Sequence, residues 1–151
     1  MPHVHGKNVD VKILDVDAVE QNITSDGNSV TLTWTNDIAE LRAFGAAALE
    51  KLEGVPDWGW EFAGYYHTTA SQIDEILGNI ATCVSSSTAA CIAFGGAGAT
   101  EVGCPFWYGN CILAEYAVEA PSDGPVTVTA TFAGSGALSR AAIAAGGSWT
   151  P

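Results

Sequence analysis

Residues 120–140 read APSDGPVTVTATFAGSGALSR. Val126, Val128, Ala130 and Phe132 alternate with Thr127, Thr129 and Thr131, and period-two alternation of this length predicts a half-buried strand. Asp123-Gly124-Pro125 supplies the turn that precedes it. The same alternation occurs earlier, in SVTLTWTN at 29–36, where Val30, Leu32 and Trp34 alternate with Thr31, Thr33 and Thr35. Two strands therefore present a plain threonine face opposite an apolar one. An enzyme has little use for such a face, whereas a subunit that meets copies of itself does.

Working outward, residues 9–19 (VDVKILDVDAV) mix β-branched and acidic positions as a first strand, and SDGN at 25–28 is a turn signal. DWGWEFAGYYH at 57–67 reads as an aromatic strand with Trp58, Trp60, Phe62 and Gly64 on one side. A helix is expected over 69–81. Thr69 and Gln72 have capping-box spacing, Asp74 and Glu75 suit its N-terminal half, and Ile73, Ile76, Leu77 and Ile80 form one stripe. A short strand is expected near ACIAF (90–94). A long one follows over NCILAEYAVEA (110–120), alternating Ile112, Ala114, Tyr116 and Val118 against Leu113, Glu115, Ala117 and Glu119. Residues 37–54 pull in two directions. Asp37 and Glu40 resemble a cap and Leu49 with Leu52 suits a helix, but Gly45 costs a helix interior about 1 kcal/mol. The expectation there is a short strand or turn to Phe44, then a loop with some helical character. The fold class is mainly β with one α-helix, a β-sandwich or barrel-like body. Residues 1–8 are expected as a flexible arm, 9–133 as a single β-rich domain, and the Gly/Ala-rich 134–151 as a segment that orders on assembly.

The chain has 151 residues, enough for one domain with a sizeable core, and no apolar run approaches the roughly 20 residues of a membrane span. Its N-terminus lacks the apolar region of a signal peptide, so synthesis in the cytoplasm is expected. Five Lys and Arg against 17 Asp and Glu give a net charge of −12, which repels nucleic acid and leaves few cations for phosphorylated substrates.

Catalytic chemistry is sparse. The only histidines are His3, His5 and His67. The loop GGAGAT lacks the Lys-Ser/Thr ending of a phosphate-binding P-loop, and no pair of carboxylates stands out as a glycosidase would need. His3-x-His5 supplies two ligands on a terminus, which is no metal site. Neither an enzyme nor a cofactor is expected. Cys83, Cys91, Cys104 and Cys111 share one window without C-x-x-C spacing, which disfavours a zinc ribbon or redox pair. Disulfides Cys83–Cys91 and Cys104–Cys111 and buried free thiols both remain open at this point.

The order of these motifs resembles the major tail tube proteins of long-tailed, siphovirus-like bacterial and archaeal viruses. The resemblance rests on Trp58, Phe62 and Gly64 with Tyr65 and Tyr66, on Tyr116, Val118 and Pro121, and on Gly124, Val126, Phe132, Gly134, Gly136 and Leu138. It spans roughly residues 29–140, and the cysteine cluster is no part of the family pattern. It implies a tail tube fold whose strands join a ring-shared barrel. It also implies a structural virion protein that stacks as six-fold rings, through which genomic DNA passes without specific binding. Lumen-facing candidates are then Thr31, Thr33, Thr35, Thr127, Thr129 and Thr131, and inter-ring candidates are Phe44, Leu49, Leu52, Leu138 and Trp149. The implied partners are further copies of the chain and the tape-measure, tail-terminator and baseplate proteins, with no membrane. The implied location is the virion tail, with assembly in the host cytoplasm. Two other readings stand beside it: a monomeric Ig-like adhesion module that binds through Trp58, Trp60, Tyr65 and Tyr66, and a secretion-system tube subunit of similar fold.

Overall fold

Both threonine-bearing stretches fold as strands of one antiparallel sheet, with the aromatic run between them. The computed structural model describes residues 6–45, 47–70, 72–82, 87–94 and 102–144, with backbone alone at Lys7, Ser87, Ala89, Ala90, Cys91, Ala93 and Phe94. Its strands are β1 (Val9–Leu14), β2 (Glu20–Asn22), β3 (Gly27–Leu41), β4 (Glu50–Tyr65), β5 (Ser87–Phe94), β6 (Pro105–Glu119), β7 (Thr127–Gly134) and β8 (Ser139–Ala142), and helix α1 spans Ile73–Thr82. The spatial order is β2-β1-β5-β6-β7-β4-β3, with β8 also on β6, and the sheet curls into a half-barrel.

One side of the sheet holds the core. Trp58, Trp60 and Phe62 of β4 and Val128, Ala130 and Phe132 of β7 are buried there, together with Val11, Ile13, Ile92 and Cys111. The rings of Trp60 and Phe132, cross-strand partners, stack at 4.2 Å and 5°. Helix α1 closes this side, burying Ile73, Ile76, Leu77 and Ile80, the stripe expected from its spacing. Burying each such side chain stabilises the fold by about 2 kcal/mol before entropy is counted.

The cap of α1 differs from the expected Thr69/Gln72 box. The N–H of Ile73 donates to Asp26 Oδ2 at 3.1 Å, and Asp26 is itself buried. The Gln72 amide, with its nitrogen turned inward, donates to both Asp26 oxygens at 2.8 Å. His67 Nδ1 stands 3.7 Å from Asp26 Oδ1. A carboxylate from the turn before β3 thus satisfies the helix end, a contact that no local spacing announces. At the other end of the side chains, the Tyr116 hydroxyl donates to Asp74 Oδ1 at 3.2 Å, tying β6 to the helix.

Three expectations are corrected. Residues 37–54 form no helical loop: β3 runs on to Leu41 and β4 begins at Glu50, so a long two-stranded hairpin projects from the sheet. The alternation along β6 is interrupted, because its register against β7 shifts between Leu113 and Glu115. Cys111 and Leu113 therefore face the core before the bulge and Tyr116 after it, while Ile112 is exposed. Part of the C-terminal segment is ordered within the single chain. β8 pairs with β6, Ile143 is buried, and its N–H donates to Cys104 O at 2.9 Å. Of the two alternatives left open for Cys104 and Cys111, the structure has no bond between them: they are buried in separate clusters. They bracket one extended stretch of β6, and seven residues at about 3.3 Å each exceed any disulfide span. Cys83 and the Cys91 side chain lie outside the described residues.

Candidate functional site

The side of the sheet opposite the core carries the threonines, and the strand register lines them up. Thr31 pairs with Glu61, Glu61 with Thr131, and Thr131 with Glu115, which makes one row across β3, β4, β7 and β6. The next row toward the chain's β4–α1 end runs Ser29, Ala63, Thr129 and Ala117. On the other side lie Thr33, Gly59, Ala133 and Ile112. Thr127 joins Tyr65 and Glu119, and Thr35 joins Asp57, whose carbonyl accepts the Thr35 hydroxyl at 3.3 Å. Because opposed residues share a face, the six candidate threonines belong to a single surface.

Its charge is one-sided. Asp57, Glu61, Glu115 and Glu119 lie on it, and the sequence contains no Lys or Arg between residues 52 and 139. Among the described residues, phosphates would meet hydroxyls and carboxylates in these rows of β3, β4, β7 and β6, with no cation in the rows to hold them. The carboxylate bands at Glu61 and Glu115 were not among the candidate site residues. Their alternation with Trp60 and Phe62 carries the signal for the first, and the β6 bulge obscures the second.

The other candidates divide. Phe44, Leu49 and Leu52 are exposed on the projecting hairpin, Phe44 fully so. Leu138 is instead partly buried against the main core, and Trp149 lies outside the described residues. An adhesion surface of stacked aromatics loses its residues: Trp58 and Trp60 are buried and Tyr66 packs on the core, which leaves Tyr65 exposed. His67 is half exposed and meets the helix cap, while His3 and His5 lie outside the described residues.

Two side-chain environments deserve chemical description. Tyr66 is held above the usual tyrosine pKa by its hydrogen bond to Asp74 and then by burial. Tyr116 is pushed up further, by burial first and the Asp74 charge second. Cys111, which accepts the Trp60 Nε1–H at 3.5 Å, is raised by burial to about 11, so its thiol stays protonated and unreactive at neutral pH. These groups serve packing and offer no poised nucleophile.

No family model and no curated protein sequence matches the chain. Solved structures share its fold. The tail of an empty gene transfer agent particle, refined with C6 symmetry, superposes with a TM-score of 0.73 at 18% identity, covering 91% of this chain and 98% of that one. The SPP1 tail tube gives 0.74 at 9% identity, over 94% of this chain and 81% of that chain. The sheath–tube complex of an extracellular contractile injection system (PVC) in its extended state gives 0.68 at 16% identity, over 93% of both. The chain has the tail tube fold.

Proposed function

We propose that this chain is the self-assembling subunit of a tail tube, stacked as six-fold rings around a channel for genomic DNA. The observation that carries this reading is the continuous face of threonine and carboxylate across β3, β4, β7 and β6, with no cation in those rows among the described residues, on a sheet that ends in the edge strands β3 and β2. Among the described residues no strand pairs with the outer edge of β3 along Gly27–Leu41, and the opposite edge strand, β2, has only three residues. An isolated sheet with so long a free edge invites disordered pairing. Joining one subunit's edge to the next converts that liability into a ring-shared barrel. The threonine face then lines the lumen, where repulsion of phosphates keeps the conduit from becoming a binding site.

In this reading the protein is non-enzymatic and needs no cofactor. Phe44, Leu49 and Leu52 contact the adjoining ring, and the tape-measure, terminator and baseplate proteins complete the tail. The particle is a long-tailed virion, assembled in the host cytoplasm. A second reading, the inner tube of an injection device without a genome, draws on the likeness to the contractile injection system's tube complex. Electron microscopy of the purified protein across concentration and salt tests both. Hollow tubes wide enough for duplex DNA are expected, and persistent monomers with or without a tail initiator complex would overturn the reading. DNA inside tubes recovered from native particles separates the virion from the injection device.

A further inference from the structure

We infer that the projecting hairpin docks on a second copy of the chain through one defined face, the one that carries Ala39, Leu41 and Leu52; the inference rests on the self-assembly reading and specifies it. Asn36 pairs with Pro56 and Ile38 with Glu53, so Asp37 alone opposes Gly54 and Val55. This extra residue on β4 is a bulge, and a bulge re-aims every side chain beyond it on its own strand. Below the bulge, Trp34 and Trp58 point to the core side, while Thr33, Thr35 and Asp57 point to the threonine side. Beyond it, Ile38, Glu40, Lys51 and Glu53 continue the core side, and Ala39, Leu41, Glu50 and Leu52 continue the threonine side.

Polarity therefore crosses over along the hairpin. The core side ends in charge: Lys51 Nζ lies 4.0 Å from Glu40, and Asn36 Nδ2 donates to Glu53 at 3.0 Å. The threonine side becomes a leucine side, with Leu41 48% and Leu52 52% exposed. Without the extra residue, Leu52 would fall beside Ile38 and Glu40, so the bulge is what gathers the two leucines. An apolar face on the side away from the subunit's own core can be buried only by another molecule.

Charge selects a second copy as that molecule. The whole chain carries −12, yet between residues 38 and 52 Arg42 and Lys51 offset Glu40 and Glu50. None of the described ion pairs uses Arg42, at the hairpin tip. An arm that carries almost no net charge and ends in a guanidinium approaches an acidic copy with little repulsion and offers its carboxylates a partner.

The experiment compares the wild-type chain with Leu41→Asp/Leu52→Asp and Ile38→Asp by sedimentation and electron microscopy, with melting curves to confirm folding. It adds a photo-crosslinking phenylalanine analogue in place of Leu52. The double variant is expected to melt as wild type but to need at least about tenfold more protein to assemble, since a carboxylate cannot be buried unpaired. Ile38→Asp is expected to assemble near the wild-type concentration, and the crosslinker to join two copies. Assembly of the double variant at the wild-type concentration, equal loss in Ile38→Asp, or crosslinks confined to one chain would overturn the face assignment alone. A wild-type chain that never assembles would overturn the tube reading and this inference with it.

Discussion

The indole of Trp58 lies across Gly134 and Gly109 and donates its Nε1–H to Gly136 O at 2.9 Å. β7 and β8 follow one another along the same edge of β6, and this side chain fills the break between them. Every second position of the run from Phe132 to Leu138 then has a physical cause. Phe132 stacks on Trp60, Gly134 leaves room for the indole, Gly136 adopts φ +87°, and Leu138 rests on the core. A Cβ at Gly134 would land inside the Trp58 ring. Gly134→Ala is therefore expected to cost about 1–3 kcal/mol through overpacking, read as a lower melting temperature. Gly6→Ala, with nothing within 4 Å of its Cβ, is expected to be neutral. At this scale the sequence was legible as a pattern but not as a cause. The spacing Phe132, Gly134, Gly136 is visible in the chain, whereas the residue that imposes it lies more than seventy positions earlier. Asp26 was hidden for the same reason: as part of SDGN it reads as a turn residue, and its role as cap of a distant helix exists only once the sheet has formed.

Helix α1 was legible because its stripe and its termini agree with one another, and such local consistency survives tertiary packing. The hairpin was not legible. Leu49 and Leu52 at helical spacing and the acidic residues at 37 and 40 are equally compatible with a ribbon that buries nothing in its own subunit, so periodicity there had no core to report. The β6 bulge likewise reversed half of an alternation that looked regular, exchanging Ile112 for Leu113 on the inner face. The attachment of α1 to the sheet has its own testable chemistry. Asp74 receives the Tyr116 hydroxyl and lies beside Tyr66, and both tyrosines are raised above their ordinary value of 10.0. A group whose folded pKa is raised holds its proton more tightly in the folded state. That stabilisation is complete below pH about 10 and is lost as pH climbs through the folded value. The folded state is therefore expected to weaken steeply above pH 10, as followed by near-ultraviolet circular dichroism. Tyr116→Phe, which removes the more strongly shifted group, is expected to flatten that decline. An alkaline profile unchanged in Tyr116→Phe would detach the pH dependence from this contact.

Charge is the property that the whole molecule adds to its parts, because acidic residues scattered along the sequence become a surface only after folding. Copies carrying −12 each repel at a distance, and salt shortens that reach from about 30 Å at 0.01 M to about 3 Å at 1 M. The concentration needed for assembly, followed by light scattering, is expected to fall as salt rises. A rise instead would mean that pairs such as those of Arg42 outweigh the general repulsion. The threonine face makes a sharper prediction, since the register distinguishes neighbouring threonines that the sequence treats alike. Thr131 sits between Glu61 and Glu115, so a lysine there has carboxylates on both sides to neutralise it. Thr129 sits between Ala63 and Ala117, so a lysine there stays unpaired and faces whatever passes along the wall. Neither position is in the core, and both variants are expected to fold and assemble. If the face lines a DNA channel, Thr129→Lys tubes will retain duplex DNA at low salt and release it as salt rises, while Thr131→Lys tubes will retain much less. In particles, the same order should appear as slower genome ejection. Equal behaviour of both variants and wild type would place this face away from the DNA path, because an unpaired cation repeated around every ring cannot be silent to a polyanion in contact with it.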